Sequence, residues 1–148
     1  MNAPPANVGL AAITDRPEIL SLLSAAGLPT SDLTDGSQVE FLVARRGERL
    51  VGVVGLERFG EVGLLRSLAV GAEHQRQGLG LALTSALEAH AASTGICSLV
   101  LLTETASGFF RRYGYEAIAR ARAPQAVRAS TEFRELCPES AICMGKRL

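Results

Sequence analysis

Apolar residues recur along this chain with two alternating periods, about two and about 3.6 residues, and the switches between them mark out the elements. Residues 8–13, "VGLAAI", read as a short strand. In "TDRPEILSLLSAAG" the side chains of Ile19, Leu22, Leu23 and Ala26 share one helical face. Asp15 stands where a cap belongs, Glu18 follows three residues on, Pro17 fits the first turn and Gly27 ends the helix. The polar, turn-rich stretch "LPTSDLTDGSQ" is a long loop of the kind that often carries function. Three strands follow, over 39–45, 49–57 and 61–70, and "RRGE" and "RFG" turn them into an antiparallel meander. Folding the second hairpin about Phe59 sets Gly55 opposite Gly63 and Gly52 opposite Arg66, which leaves open space facing Arg66.

The second half alternates in the same way. Residues 80–94 form a helix, with Leu79, Leu83 and Leu87 at four-residue spacing and Gly95 at its end. "CSLVLLTE" is a continuous apolar run, as in a buried strand, and "ASGFFRRYG" is a short helix stopped by Gly114. "YEAIARA" reads as a strand, "PQAVRASTEFREL" as a helix and "SAICMGKRL" as a closing strand. The order β-α-β-β-β-α-β-α-β-(α)-β is a mixed α/β fold, antiparallel first and with a parallel crossover later. No repeat or linker divides it, so residues 1–148 form one domain.

Composition narrows the function. Fifteen basic residues balance fifteen acidic ones, so no general field attracts nucleic acid, and an anion must be held locally. No apolar run reaches membrane-spanning length, and "MNAPPANVG" lacks the basic and long apolar regions of a signal peptide. Three cysteines make no disulfide framework, which fits a cytoplasmic, reduced protein. His74 and His90 stand too far apart in the chain to suggest a metal site.

"HQRQGLGLAL", residues 74–83, sets two glycines at the opening of a helix, where an ordered glycine is costly. Backbone N–H groups there lack internal partners and carry partial positive charge. Gly78 and Gly80 remove the side chains that would hold a phosphate away, while Gln75, Arg76 and Gln77 add donors. A tight turn or close packing is the bland alternative for the same glycines. Leu81 and Ala82 after Gly80 exclude a P-loop, and Leu83 at the third glycine place counts against a dinucleotide fingerprint.

With its flanking strand and helix, "LLRSLAVGAEHQRQGLGLALTSALEAHA" resembles the acetyl-CoA-binding core of the GNAT superfamily of N-acetyltransferases, Gln75, Gly78 and Gly80 matching its signature. "TASGFFRRYGY" is similar to a later motif of that family through Phe109, Phe110, Arg112, Gly114 and Tyr115. The resemblance implies a mostly antiparallel sheet of about seven strands flanked by helices, with a splayed parallel pair at the cofactor cleft. It also implies acetyl-CoA as co-substrate and a small-molecule amine as acceptor, and is compatible with a homodimer. Leu68, Ala69 and Val70 would line the pantetheine arm. Gln75, Arg76, Gln77, Gly78, Leu79 and Gly80 would hold the pyrophosphate, and Thr103, Phe109 and Phe110 would flank the thiol end.

Many members place a tyrosine general acid where this chain has Phe110; Tyr113 and Tyr115 are the substitutes, one of them expected in the core. Glu57, Glu61 and Glu104 are candidates for the base, with solvent-exposed strand ends as the alternative. Arg66, in an apolar strand, needs an anionic partner: a structural glutamate, or a carboxylate or oxyanion on the acceptor. "AAGLPTSDL", "LLRSLAV" and "ELCPESAICM" resemble a GNAT subgroup encoded in bacterial arsenic-resistance operons, which implies an anionic, amino-acid-like toxin as acceptor. Cys137 and Cys143 raise metalloid binding, against the ordinary reading of cysteine as a small buried hydrophobe. The competing class is a catalytically silent acyl-CoA-binding or metalloid-sensing module.

Overall fold

The computed structural model describes residues 6–33, 38–136 and 140–148. Seven strands form one sheet: β1 (Asn7–Leu10), β2 (Glu40–Arg46), β3 (Arg49–Phe59), β4 (Val62–Val70), β5 (Ser98–Thr103), β6 (Glu116–Ala117) and β7 (Ile142–Arg147). Their spatial order is β1-β2-β3-β4-β5-β7-β6. Each neighbouring pair is antiparallel except β4 and β5. The mixed sheet expected from the sequence is therefore the one observed.

The β3–β4 hairpin closes at Phe59↔Val62, with Gly60 at φ 68 in its two-residue turn. That conformation is open to glycine and strained for most other residues. The turn lies beyond Phe59, so the expected pairing is corrected: Gly55 faces Arg66 and Gly52 faces Val70. Nor is there open space opposite Arg66. A Cβ on Gly55 would sit 3.0 Å from Val39 Cγ1 and 3.2 Å from Phe41 Cε1. Between the pairs Val53↔Ala69 and Gly55↔Arg66 the register shifts, so Ser67 and Leu68 share the space opposite Val54. Ser67 takes φ 57, and the strand is bulged there.

Helices cover both faces. On one side α1 (Arg16–Ala25) buries Ile19 and Leu23 against Phe41, Val43, Val53 and Ala69. On the other, α2 (Leu79–Ser93) buries Leu79, Leu83 and Leu87 against Val54, Leu56, Leu65 and Leu99. Each such leucine contributes about 1.5–3 kcal/mol by leaving water. The short α3 (Ser107–Arg112) sends Phe110 into the α2-side core. Back on the α1 side, α4 (Gln125–Arg128) and the residues after it cover Leu64, Val100 and Cys143 with Val127 and Phe133.

Three local expectations change. Asp15 does not cap α1; its carboxylate accepts the Ala12 N–H at 2.8 Å and pairs with Arg45 of β2. The helix expected over 124–136 splits into α4 and a π-helical turn, Glu132–Leu136, with the Ser130 hydroxyl accepting the Phe133 N–H at 3.3 Å between them. The strand expected over 115–121 shrinks to β6, because Arg120–Arg122 turns away as a 3-10 helix.

β4 and β5 pair only at Val62↔Ser98, Gly63↔Leu99 and Leu64↔Val100, and then part. β3 holds β4 out to Val70, and β7 holds β5 out to Thr103, so each strand stays fixed as they diverge. The bulge at Ser67 bends β4 away. At the closed end, a Cβ on Gly63 would lie 2.7 Å from Leu56 Cδ1 and 2.9 Å from Leu99 Cδ2, both on fully buried side chains. Gly63→Ala is therefore expected to cost about 1–3 kcal/mol by overpacking, read as a lower urea midpoint with an unchanged slope.

Candidate active-site cleft

Where β4 and β5 diverge, a cavity of about 400 Å³ opens. Its walls are Leu65, Arg66, Ser67 and Leu68 of β4, Leu101, Leu102 and Thr103 of β5 with residues 104–106 beyond it, and Phe110 of α3. Residues 26–29 after α1, together with Glu132 and Ala141, close the side toward the second layer. The backbone edge of β4 beyond Leu64 has no partner strand on its β5 side, so its polar groups are offered to whatever enters.

The loop after β4, residues 71–78, leads into the start of α2. Gly78 is its N-cap, left-handed at φ 79, and a Cβ there would meet nothing within 4 Å. The first hydrogen bond into the helix is from Ala82 N–H to Gly78 O, at 3.0 Å. The amides of Leu79, Gly80 and Leu81 have no carbonyl one turn back in the helix to receive them. Among the described residues, no backbone N–H from 75–78 donates to a backbone carbonyl either. Several successive donors at a positive helix end form a seat for phosphate.

The loop's side chains divide their roles. Gln75 Nε2 donates to Val70 O at 3.3 Å, and Gln77 Oε1 accepts from Arg46 Nη2 of β2 at 2.6 Å. Both amides thus brace the turn against the sheet. Arg76 is exposed, with φ 64. A Cβ on Gly80 would rest in ordinary van der Waals contact on the Phe109 ring, at 3.5 Å. Phe109 stacks edge-on with Phe110 and Tyr113, at 5.1 and 5.0 Å between centroids, so of the aromatic pair it is Phe110 that faces the cavity. Thr103 lines the cavity and uses its hydroxyl to accept the Ala106 N–H at 3.0 Å, shaping the turn into α3. Leu68 and Val70 are half-buried at the edge of β4, whereas Ala69 points into the α1 core.

The Acetyltransferase (GNAT) domain model matches residues 37–117, more than half of the sequence. The chain belongs to the GNAT acetyltransferases. Solved structures agree on the fold. N-acetylglutamate synthase from Neisseria gonorrhoeae, complexed with coenzyme A and N-acetyl-glutamate, superposes with a TM-score of 0.82 at 20% identity over 99% of this chain. The chain spans only 36% of that enzyme's length. A GNAT-family acetyltransferase from Staphylococcus aureus gives 0.79 at 16% identity, covering 97% of this chain and 99% of that one. The ribosomal-protein-S18-alanine N-acetyltransferase from Escherichia coli gives 0.74 at 20%, covering 97% and 94%. No curated protein matches by sequence.

Two features depart from a site with a tyrosine acid. Phe110, on the cavity wall, has no proton to give, and Tyr115 is no substitute: it is buried, and its hydroxyl donates to Glu88 Oε2 at 2.8 Å. Burial, reinforced by the Glu88 carboxylate, pushes that phenol well above its ordinary value. Tyr113 remains half-buried beside Phe109.

The other departure is a charge cluster on the cavity wall. Arg66 lies on the α1 side of the sheet, two residues from Leu64, at the seam between α1 and the 124–136 layer. Its guanidinium donates in a fork to Asp32, at 2.6 and 2.8 Å, and to Glu57 Oε1 at 3.1 Å. Glu132 Oε1 stands 3.8 Å from Arg66 Nε, too far for a hydrogen bond. Glu132 Oε2 is buried with no hydrogen-bond partner among the described residues. Burial works against the charge on Arg66, but the Asp32 hydrogen bond and the fields of Glu132, Asp32 and Glu57 outweigh it. Glu132 is pushed up to about 7, chiefly by burial; Arg66 pulls it down while Asp32 and Glu57 push it further up.

Of the acids considered from sequence, Glu57 faces Arg66, Glu104 is exposed at the cavity rim, and Glu61 lies at the closed end of the β4–β5 pair. Asp32 and Glu132 escaped sequence reading. The signal was the demand of a buried arginine for anions, which does not say where they come from. Cys143 is buried on β7, where burial raises its thiol, and Cys137 lies outside the described residues.

Removing Arg66 strands three carboxylates together. Arg66→Ala is expected to cost about 3–5 kcal/mol of stability. Without Arg66, which pulls it down, Glu132 takes up its proton above its wild-type value of about 7, so the loss should be smaller at low pH than at high pH. Urea titrations at pH 8 and pH 5 check both the size and the direction.

Proposed function

We propose that the protein transfers the acetyl group of acetyl-CoA to the amine of a small molecule. The parting of β4 and β5 above an amide-rich helix start supports this most strongly. The pantetheine arm lies along Leu68, Ala69 and Val70 as an added edge strand, and the pyrophosphate rests on the amides from Gln75 to Gly80, with Arg76 as counter-charge. The thioester then reaches the cavity beside Phe110 and Thr103. The amine attacks the thioester carbonyl, and the carbon–sulfur bond breaks as the tetrahedral adduct collapses. A thiol pKa of about 8.5 lets the thiolate leave with little acid help, which accommodates phenylalanine at position 110.

The finer reading, an anionic amino-acid-like toxin in an arsenic-resistance context, has two supports of unequal strength. The operon context rests on the phrases "AAGLPTSDL", "LLRSLAV" and "ELCPESAICM" alone. The anionic acceptor rested on Arg66, which is already engaged by Asp32 and Glu57. A silent acyl-CoA-binding module is the second reading, favoured by Phe110 at the acid's place. Thiol release from acetyl-CoA across a broad amine panel separates the two: turnover supports the enzyme, and binding without turnover supports the module.

Gly78→Glu places a side chain and a negative charge on the phosphate seat at a left-handed position. It should abolish coenzyme A binding in calorimetry while thermal stability falls by only about 1–2 kcal/mol, the cost of a non-glycine residue in that conformation. Unchanged affinity would contradict the pyrophosphate assignment.

A further inference from the structure

Resting on the acetyl-transfer reading, we propose that Glu132 is the general base of the reaction and that the acceptor is a cationic amine bearing no carboxylate beside its reacting nitrogen. The geometry comes first. Glu132 lines the cavity where β4 and β5 part, is 6% exposed, and keeps one buried carboxylate oxygen without a hydrogen-bond partner among the described residues. A buried acceptor of that kind is costly unless a donor arrives, and an ammonium is such a donor.

The surroundings set both its protonation and its preference. Arg66 faces Glu132 from β4, Asp32 from the segment after α1 and Glu57 from β3, and Glu104 stands at the cavity rim after β5. Ser67 of β4 takes a 3.4 Å contact from Arg66 Nε, and Ser130 caps the turn that carries Glu132. The single guanidinium is spent on Asp32 and Glu57, so it lends Glu132 only its field. Among the described residues, one cation set against three carboxylates attracts a positive group and repels a carboxylate-bearing one. Held at about 7, Glu132 exchanges its proton near working pH, where a general base is most effective.

The steps balance. The Glu132 carboxylate takes one N–H proton from the ammonium. The freed lone pair forms the nitrogen–carbon bond to the thioester carbonyl. The carbon–sulfur bond breaks with its pair on sulfur, the thiolate takes the second N–H proton and coenzyme A leaves as the thiol. Glu132 then returns its proton to water.

The test measures thiol release from acetyl-CoA with putrescine, agmatine and butylamine against alanine, glutamate and phosphinothricin, and coenzyme A binding by calorimetry. Wild type should favour the first group by tenfold or more in kcat/KM, with kcat/KM rising through a limb near pH 7. Glu132→Gln should lower kcat about a hundredfold and abolish that limb, leaving coenzyme A affinity unchanged. The wild-type limb stands as a check even if the variant folds poorly. Turnover that favours the carboxylate-bearing acceptors, or a Glu132→Gln kcat within twofold of wild type, overturns this inference alone. Coenzyme A binding with no turnover on any amine overturns acetyl transfer and this inference together.

Discussion

Two neighbouring strands that pair for three residues and then separate are the constraint on which this molecule is built. A parallel pair inside a sheet normally satisfies its backbone along its length, because an unpaired buried amide is costly. Here β3 and β7 hold the outer edges of β4 and β5, and the bulge at Ser67 bends β4 off course. Among the described residues, the inner edges find no strand beyond Leu64 and Val100. The loop 71–78 then carries the chain from the end of β4 to the start of α2.

The charge cluster occupies the seam where the covering layer changes from α1 to the 124–136 segment. A continuous apolar cover would have needed an apolar residue at 66. Arg66 instead draws in the loop through Asp32, β3 through Glu57 and the last turn before β7 through Glu132. Such an arrangement fixes register between layers more than it adds net stability, since desolvation offsets much of the Coulomb attraction. It also makes that wall of the cavity acidic.

Much of this was legible in the chain. The meander, the α2 stripe of Leu79, Leu83 and Leu87, the closing strand and the glycine-bearing loop follow from periodicity and turn chemistry. The limits were those of register and distance. Placing the turn at Gly60 rather than about Phe59 shifted the register by three residues and moved Arg66 from facing Gly52 to facing Gly55. Asp15 sat at a capping position but answered a cation on β2. The last helical pattern broke at Ser130, whose hydroxyl competes for a backbone amide. Glu132 lies 66 positions from Arg66, and no local pattern links residues so far apart.

Hydrogen–deuterium exchange with and without coenzyme A tests the central claim most directly, because the amides in question belong to two separate stretches. Coenzyme A should slow exchange in residues 65–70 of β4 and 78–81 at the start of α2, with little change in β1 or β2. Slowing confined to other parts of the sheet, with those two stretches unaltered, would contradict the seat of the carrier between the parted strands.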